Sequence, residues 1–73
     1  MSRLPALTSR DLIRALERAG FQEHRQRGSH KIFKKDLLRV TVPVHSGDLK
    51  KGTVHSILEQ AGLTVEEFLQ LLR

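Results

Sequence analysis

The stretch LRVTVP at residues 38–43 decides the fold, because apolar and polar side chains alternate along its length. Such alternation is typical of a β-strand with one buried and one exposed face. Leu38, Val40 and Val42 are expected to face the core, and Pro43 ends the strand or marks a sheet edge. A half-buried strand needs strand partners and an apolar layer over its buried face, and the flanking sequence offers both.

Two further strands are predicted upstream of residues 38–43. His30 to Lys34 is the second strand of the sheet, and Lys35-Asp36 begins the turn that follows it. Phe21 to Arg27 is the first strand, although it is polar and contains few residues that favour β-structure. Gly28-Ser29 provides the turn between them. Three consecutive strands joined by short turns predict an antiparallel sheet.

A helix over residues 9–19 is predicted before the sheet. Thr8 is suited to cap its first turn, the Asp11 side chain is placed to reach back to the cap, and Gly20 is suited to end the helix. Its apolar residues recur at helical spacing: Leu12, Ile13, Ala15, Leu16 and Ala19.

Two helices are predicted after a polar loop over residues 44–52. Thr53 is expected to cap the first helix and Gly62 to end it, whereas Thr64 and Glu67 have the spacing of a capping box for the second. The apolar stripes of these helices are Val54, Ile57, Leu58 and Ala61, and then Val65, Phe68, Leu69 and Leu72. The resulting order, αβββαα, predicts an α+β sandwich with the helices on one face of a three-stranded antiparallel sheet.

Length and composition limit the classes of protein to be considered. Seventy-three residues are expected to form one domain over residues 1–73. The absence of cysteine excludes disulfides and thiolate metal sites, and no two histidines are four residues apart as in a zinc-binding helix, so neither a metal nor another cofactor is expected. No apolar run is long enough to span a bilayer, and the N-terminus has no signal-peptide core, which favours a cytoplasmic protein without a membrane partner.

Positive charge is concentrated in the first half of the sequence. Residues 1–35 contain nine cations and three anions, net +6, whereas residues 36–73 contain four cations and five anions, net −1. General solubility is one explanation of such an excess, but its clustering favours a polyanionic partner.

The segment RQRGSHKIFKK at residues 25–35 combines this charge with a histidine. It contains five cations and no acid, and Gly28 and Ser29 precede His30. Cations hold a phosphate backbone, and the backbone N–H groups of a glycine turn can approach phosphate oxygens closely. The candidate RNA-binding residues are therefore Arg25, Arg27, Gly28, Ser29, Lys31, Lys34 and Lys35.

His30 is the candidate catalytic residue of this segment. RNA carries its own nucleophile, the 2′-hydroxyl, so its cleavage needs a base, an acid and positive charge on the phosphate, but no metal. Imidazole is suited to either proton transfer near neutral pH. A solvated basic strand with an idle histidine is the simpler alternative. If Phe33 belongs to the core, His30 faces away from the helices, and if Ile32 does, His30 lies on the helix side.

The other histidines are weaker candidates. His45 lies in the loop after the third strand and is a candidate second proton carrier, although surface decoration is the favoured explanation. His24 in the first strand and His55 on the second helix are expected to be structural or solvated. Ser29 and His30 do not form a hydrolase dyad, because neighbours on a strand point to opposite faces.

Several short segments of the sequence recur together in one known family. They are Gly20-Phe21 and residues 25–33, 40–45, 49–53, 57–63 and 66–69. Their order and spacing make this chain resemble the HicA family, small toxins of bacterial toxin–antitoxin pairs that act as mRNA interferases. The resemblance covers about residues 8–72. The chain departs from the family at Gln22-Glu23-His24, where the family is usually more apolar.

The resemblance implies a double-stranded-RNA-binding-domain-like fold and ribosome-independent cleavage of RNA. It places the catalytic histidine of the family's Gly-Ser-His motif at His30 and implies a HicB-type antitoxin that covers the active face. Two alternatives stay open: an RNA-binding module without catalysis, and a protein-interaction domain whose basic face meets an acidic regulator.

Overall fold

The described part of the chain, residues 4–73 of a computed structural model, folds in the predicted order of elements. Their bounds are α1 Ser9–Arg18, β1 Gln22–Arg27, β2 His30–Lys35, β3 Leu38–Pro43, α2 Lys51–Ala61 and α3 Val65–Leu71. The strands form one antiparallel sheet in the order β1-β2-β3, so β2 is central. The α+β class and the three-stranded antiparallel sheet are therefore confirmed.

Capping boxes begin two of the three helices, as predicted. At α1 the Thr8 hydroxyl accepts the Asp11 N–H at 3.3 Å, and the Asp11 carboxylate accepts the Thr8 N–H at 2.9 Å. At α3 the matching distances between Thr64 and Glu67 are 3.1 Å and 2.8 Å. Each box satisfies backbone donors that a helix leaves unpaired at its start.

The predicted start of α2 at a Thr53 cap was wrong. The helix begins three residues earlier, at Lys51, with Lys50 at the N-cap position and no side-chain hydrogen bond capping it. Tertiary contacts set the chain direction here, because Leu49 is buried and its N–H donates to the Leu7 carbonyl at 2.7 Å. The predicted end is confirmed: Gly62 follows the helix with φ 71°, a left-handed conformation that glycine adopts without strain.

The hydrophobic core lies between the helices and one face of the sheet. Phe33, Val40 and Val42 contribute from the strands and are fully buried. Leu38 points to the same side of the sheet as Val40 and Val42, as predicted, but it is 40% exposed at the β2–β3 turn and lies at the edge of the core. It pairs with Lys35 at the end of the hairpin and follows the fully exposed Leu37. The helices contribute Leu12, Ala15, Leu16, Val54, Ile57, Leu58, Ala61 and Phe68.

The second face of the sheet is free of helices within residues 4–73. Phe33 pairs with Val40 across the sheet, and both belong to the core. Side chains alternate along a strand, so Ile32 and its partner Thr41 point to the opposite side. This opposite side is called the open face below. Its charged residues and histidines form the candidate site.

Candidate nucleic-acid interface

His30 begins β2 at the tip of the first hairpin, opposite Arg27. Gly28 and Ser29 connect the strands, and Gly28 has φ 57°, which is the sign expected at the first central position of a type II′ turn. The Gln26 side-chain amide donates to the Gly28 carbonyl at 3.0 Å, and the Val44 N–H donates to the Ser29 carbonyl at 2.6 Å. These bonds fix the turn against its own strand and against the segment after β3.

The burial of Phe33 decides the orientation that the sequence left open. Because Phe33 is in the core, the alternate residues His30, Ile32 and Lys34 lie on the open face. His30 is exposed to solvent there. Its cross-strand neighbours at this end of the sheet are Arg27 in β1 and Pro43 in β3.

A β-bulge in β1 brings its two arginines to the face that carries His30. Glu23 pairs with Phe33 and Arg25 pairs with Ile32, so His24 is an extra residue in the strand. If the same sequence paired without a bulge, regular alternation from Glu23 would turn Arg25 and Arg27 toward the helices. The bulge reverses the alternation, and both guanidinium groups lie on the open face beside the row of His30 and Ile32.

The open face carries cations that no acid neutralises. Arg25, Arg27, Lys34 and Arg39 are exposed, and none of them forms a salt bridge or a side-chain hydrogen bond within residues 4–73. Lys34 and Arg39 are even paired directly across β2 and β3. Like charges in direct opposition destabilise a sheet. An anionic ligand would offset this repulsion, whereas folding alone gains nothing from it.

Ile32 lies at the centre of this charged surface and is only 8% exposed, although it is not part of the helix-covered core. Its cover must come from the side chains around it on the open face, namely its partners Arg25 and Thr41 and its neighbours along β2. Long cationic side chains commonly cover apolar surface with their aliphatic stems while the charged head stays in water.

Two of the predicted phosphate ligands lie on the other side of the sheet. Lys31 forms a salt bridge of 3.4 Å with Glu23, and both lie on the helix side. The Lys35 ammonium donates to the Ala19 carbonyl at 2.6 Å and lies 5.8 Å from the centre of the Phe21 ring. It therefore supports the junction of α1 and β1. The structure brings together Arg25, Arg27 and Lys34 with His30, and it separates Lys31 and Lys35 from them.

His45 lines a cleft of about 610 Å³ at the same end of the sheet as His30. The cleft lies between the start of α1 and the loop after β3, and Arg10 and Lys31 also line it. The imidazole Nδ1 of His45 is 2.9 Å from the Ser46 carbonyl. The buried Ser9 hydroxyl donates to the Pro43 carbonyl at 2.7 Å and is 3.4 Å from the His45 N–H, which holds the loop on α1.

Two open-face residues were missed by sequence reasoning. Arg39 alternates with the buried Val40, so the strand pattern alone was sufficient to place it on the polar face. His24, which was expected to be structural or solvated, is exposed at the bulge beside Lys34 and Arg39. Partial desolvation lowers the pKa of His24, and the positive charges of Lys34, Arg25 and Arg39 lower it further. No sequence signal marks the bulge itself.

Within residues 4–73 no three or more of the His, Asp and Glu side chains are grouped as metal ligands would be. The same residues contain no helix with the length and apolar character needed to cross a bilayer.

Comparison with known proteins identifies the family. The family model described as HicA toxin of bacterial toxin–antitoxin matches residues 9–63, which include α1, the whole sheet, α2 and every candidate site residue named from the sequence. A comparison with curated proteins gave no significant match. With most of its length matched by the family model, and with the order of elements expected from the resemblance, the chain belongs to the HicA toxin family of bacterial toxin–antitoxin systems.

Proposed function

We propose that this toxin is an endoribonuclease that cleaves mRNA by metal-independent transesterification, with His30 as its catalytic residue. The observation that carries the proposal is the position of His30 on the open face, exposed and directly opposite Arg27. A phosphate held by Arg27 and Arg25 would bring the adjacent ribose close to the imidazole. The match to the toxin family supports the same reading.

The proposed reaction needs one proton acceptor and a cationic cradle. Neutral His30 takes the proton of the 2′-hydroxyl, and the 2′-oxygen attacks the adjacent phosphorus. The bond from phosphorus to the 5′-oxygen breaks, and that oxygen leaves with a proton from an acid or from water. The products are a 2′,3′-cyclic phosphate and a 5′-hydroxyl. Arg25 and Arg27 stabilise the negative charge that grows on the phosphoryl oxygens.

The remaining residues predicted to bind RNA have different roles in this proposal. Lys34 holds the RNA farther along the open face, and the backbone N–H groups of Gly28 and Ser29 contact phosphate at the turn. Lys31 and His45 line the cleft beyond the hairpin tip, where an RNA strand that passes His30 would continue. His45 is the candidate second proton carrier there. Lys35 contributes mainly through long-range charge, since it is bonded to Ala19.

The proposed partner is a HicB-type antitoxin, and the proposed location is the cytoplasm, where mRNA is found. Membership of a toxin–antitoxin family supports a protein partner of this kind. The unneutralised cations of the open face favour an acidic contact surface on that partner. An antitoxin bound there would cover His30 and exclude RNA from the same cations.

The decisive experiment compares RNA cleavage by the wild type, His30→Ala and Arg14→Ala in the presence of EDTA. Arg14 is an exposed cation on α1, away from the open face, so its variant controls for lost charge. Loss of a positioned general base is expected to slow single-turnover cleavage about 10²–10⁴-fold in His30→Ala alone. The wild-type products should end in a 2′,3′-cyclic phosphate.

Binding of an uncleavable RNA to the same three proteins separates the enzyme from its alternative. Binding that persists in His30→Ala while cleavage disappears supports catalysis by His30. Binding without cleavage in all three proteins would instead show an RNA-binding module. Equal cleavage by the wild type and His30→Ala would refute the assigned residue.

A further inference from the structure

We infer that the half of the open face farthest from His30, formed by His24, Lys34 and Arg39, is a second RNA subsite that holds one nucleotide of a single-stranded substrate. The inference rests on the proposed function, since it extends the path of the RNA beyond the scissile phosphate. It adds two residues, His24 and Arg39, that neither the sequence pattern nor the family match assigns to any role.

The three residues converge at one place on the sheet. Lys34 pairs with Arg39 across β2 and β3, and it pairs with Gln22 across β1 and β2, two residues from His24. The positive charges of Lys34 and Arg39 contribute to lowering the pKa of His24, although Arg39 lies on β3 and His24 on β1. At the bulge two residues of β1, His24 and Arg25, occupy the place of one, so the sheet carries a histidine here in addition to the arginine.

The chemistry of the cluster fits a nucleotide with an unpaired base. Lys34 and Arg39 supply two adjacent positive charges that no acid of residues 4–73 neutralises, and these suit a phosphate. The neighbouring cations and partial desolvation keep the His24 imidazole in its neutral form near physiological pH. A neutral aromatic ring beside a phosphate site is suited to stack on a base. Bases inside a duplex are not available for such stacking, so the subsite selects single-stranded RNA.

The separation from the proposed catalytic centre sets the minimal length of RNA that engages the subsite. Lys34 is four residues from His30 along β2, which corresponds to about 13 Å in a strand. Ile32 lies between them on β2 and is covered by its neighbours, so this position offers no phosphate site of its own. A dinucleotide held at His30 therefore cannot reach His24 and Arg39, whereas an oligonucleotide with several nucleotides on that side can.

The test measures equilibrium binding of fluorescent, uncleavable 2′-O-methyl oligonucleotides of increasing length by anisotropy. The proteins are the wild type, Arg39→Ala, His24→Ala, His24→Phe and the matched control Arg14→Ala. Arg39→Ala is expected to bind long oligonucleotides about tenfold more weakly and to reduce the slope of log affinity against log salt by about 0.7. His24→Ala should lose roughly tenfold, and His24→Phe should retain affinity because it keeps a stacking ring.

The outcomes test the subsite independently of whether the protein cleaves RNA. Losses confined to long oligonucleotides support it, even if no RNA is ever cut. Equal losses for dinucleotides and long oligonucleotides, or losses in Arg39→Ala no larger than in Arg14→Ala, overturn it, even if His30 proves essential for cleavage. Equal weakening by His24→Ala and His24→Phe would remove His24 from the site. Absence of RNA binding by the wild type would overturn both the subsite and the proposed function.

Discussion

Arg27 and His30 are direct partners across the first hairpin, and both side chains lie on the face of the sheet that no helix covers. This pairing depends on two local features of the backbone. The turn at Gly28 closes the hairpin with only two residues, and the bulge at His24 sets which face Arg27 occupies. The proposed catalytic residue therefore lies beside an arginine proposed to bind phosphate because of the strand register.

Arg27→Ala should weaken RNA binding without lowering stability, whereas Lys35→Ala should mainly lower stability. Arg27 is free on the open face, so its loss should weaken RNA binding by about 1 kcal/mol and leave the fold intact. Lys35 is bonded to Ala19 and lies over Phe21, so its loss should lower the free energy of unfolding by about 0.5–1 kcal/mol.

Anisotropy with uncleavable RNA and urea unfolding of both variants measure the two quantities. If Lys35→Ala weakened RNA binding as much as Arg27→Ala while unfolding like the wild type, Lys35 would belong to the RNA-binding surface after all.

Deletion of His24 should leave Phe21 and both arginines in their present orientations. The residues on either side of the bulge are already in register with β2, so removing the extra residue joins them with regular alternation. Regular pairing of the intact strand would instead force a choice on β1. Either both arginines would turn toward the helices, or Phe21, which is 3% exposed, would leave the core. Losing the burial of a phenylalanine costs about 1.5–3 kcal/mol.

Thermal unfolding and RNA binding should be measured for the deletion variant and for His24→Ala. The deletion is expected to match His24→Ala closely in both measurements, because both variants lose the imidazole and keep the register of β1. A deletion variant that was much less stable, or that bound RNA much more weakly than His24→Ala, would contradict this register.

Ser9→Ala should loosen the segment that carries His45. Its buried hydroxyl donates to the Pro43 carbonyl at 2.7 Å, and removal leaves that carbonyl without this donor. A loss of about 1–2 kcal/mol in the free energy of unfolding is expected from urea titration. Hydrogen exchange at the His45 amide should also accelerate. Ser46→Ala, at an exposed position of the same loop, is the control and should change neither quantity.

Asp11 should make part of the stability depend on pH. The hydrogen bond from the Thr8 backbone N–H holds the pKa of the Asp11 carboxyl below its ordinary value of 3.8, and the Thr8 hydroxyl and nearby arginines act in the same direction. Because the folded-state pKa is the lower one, this stabilisation is fully present above the unfolded-state value. It is lost as the pH falls through the folded-state value.

The measurement is urea unfolding of the wild type and Asp11→Ala from about pH 6 to about pH 2. The variant should be less stable by about 0.5–1 kcal/mol at the upper end, and the difference should shrink below pH 3.8. Glu59→Ala, an exposed acid on α2 outside any capping box, should show no such convergence. A difference that stayed constant down to the lowest pH would exclude the carboxylate as its source.

Local patterns determined most of the fold from the sequence. The alternation at residues 38–43, the caps at Thr8 and Thr64 and the stop at Gly62 act over a few residues, so they can be read without tertiary information. They fail where distant contacts compete, as at α2, which begins before the expected Thr53 cap because Leu49 is anchored on Leu7. The cluster of cations around His30 was also evident, since it is contiguous in the chain.

The tertiary structure alone decided which of those cations share a surface with His30. Periodicity left Ile32 and Phe33 equivalent, and only the packing of Phe33 against the helices placed His30 on the open face. The bulge that accommodates His24 then kept Arg25 and Arg27 on that face, while Lys31 and Lys35 stayed on the other. Side-chain direction in a strand has a period of two residues, so one residue of register reverses it, and register is a property of the paired strands together.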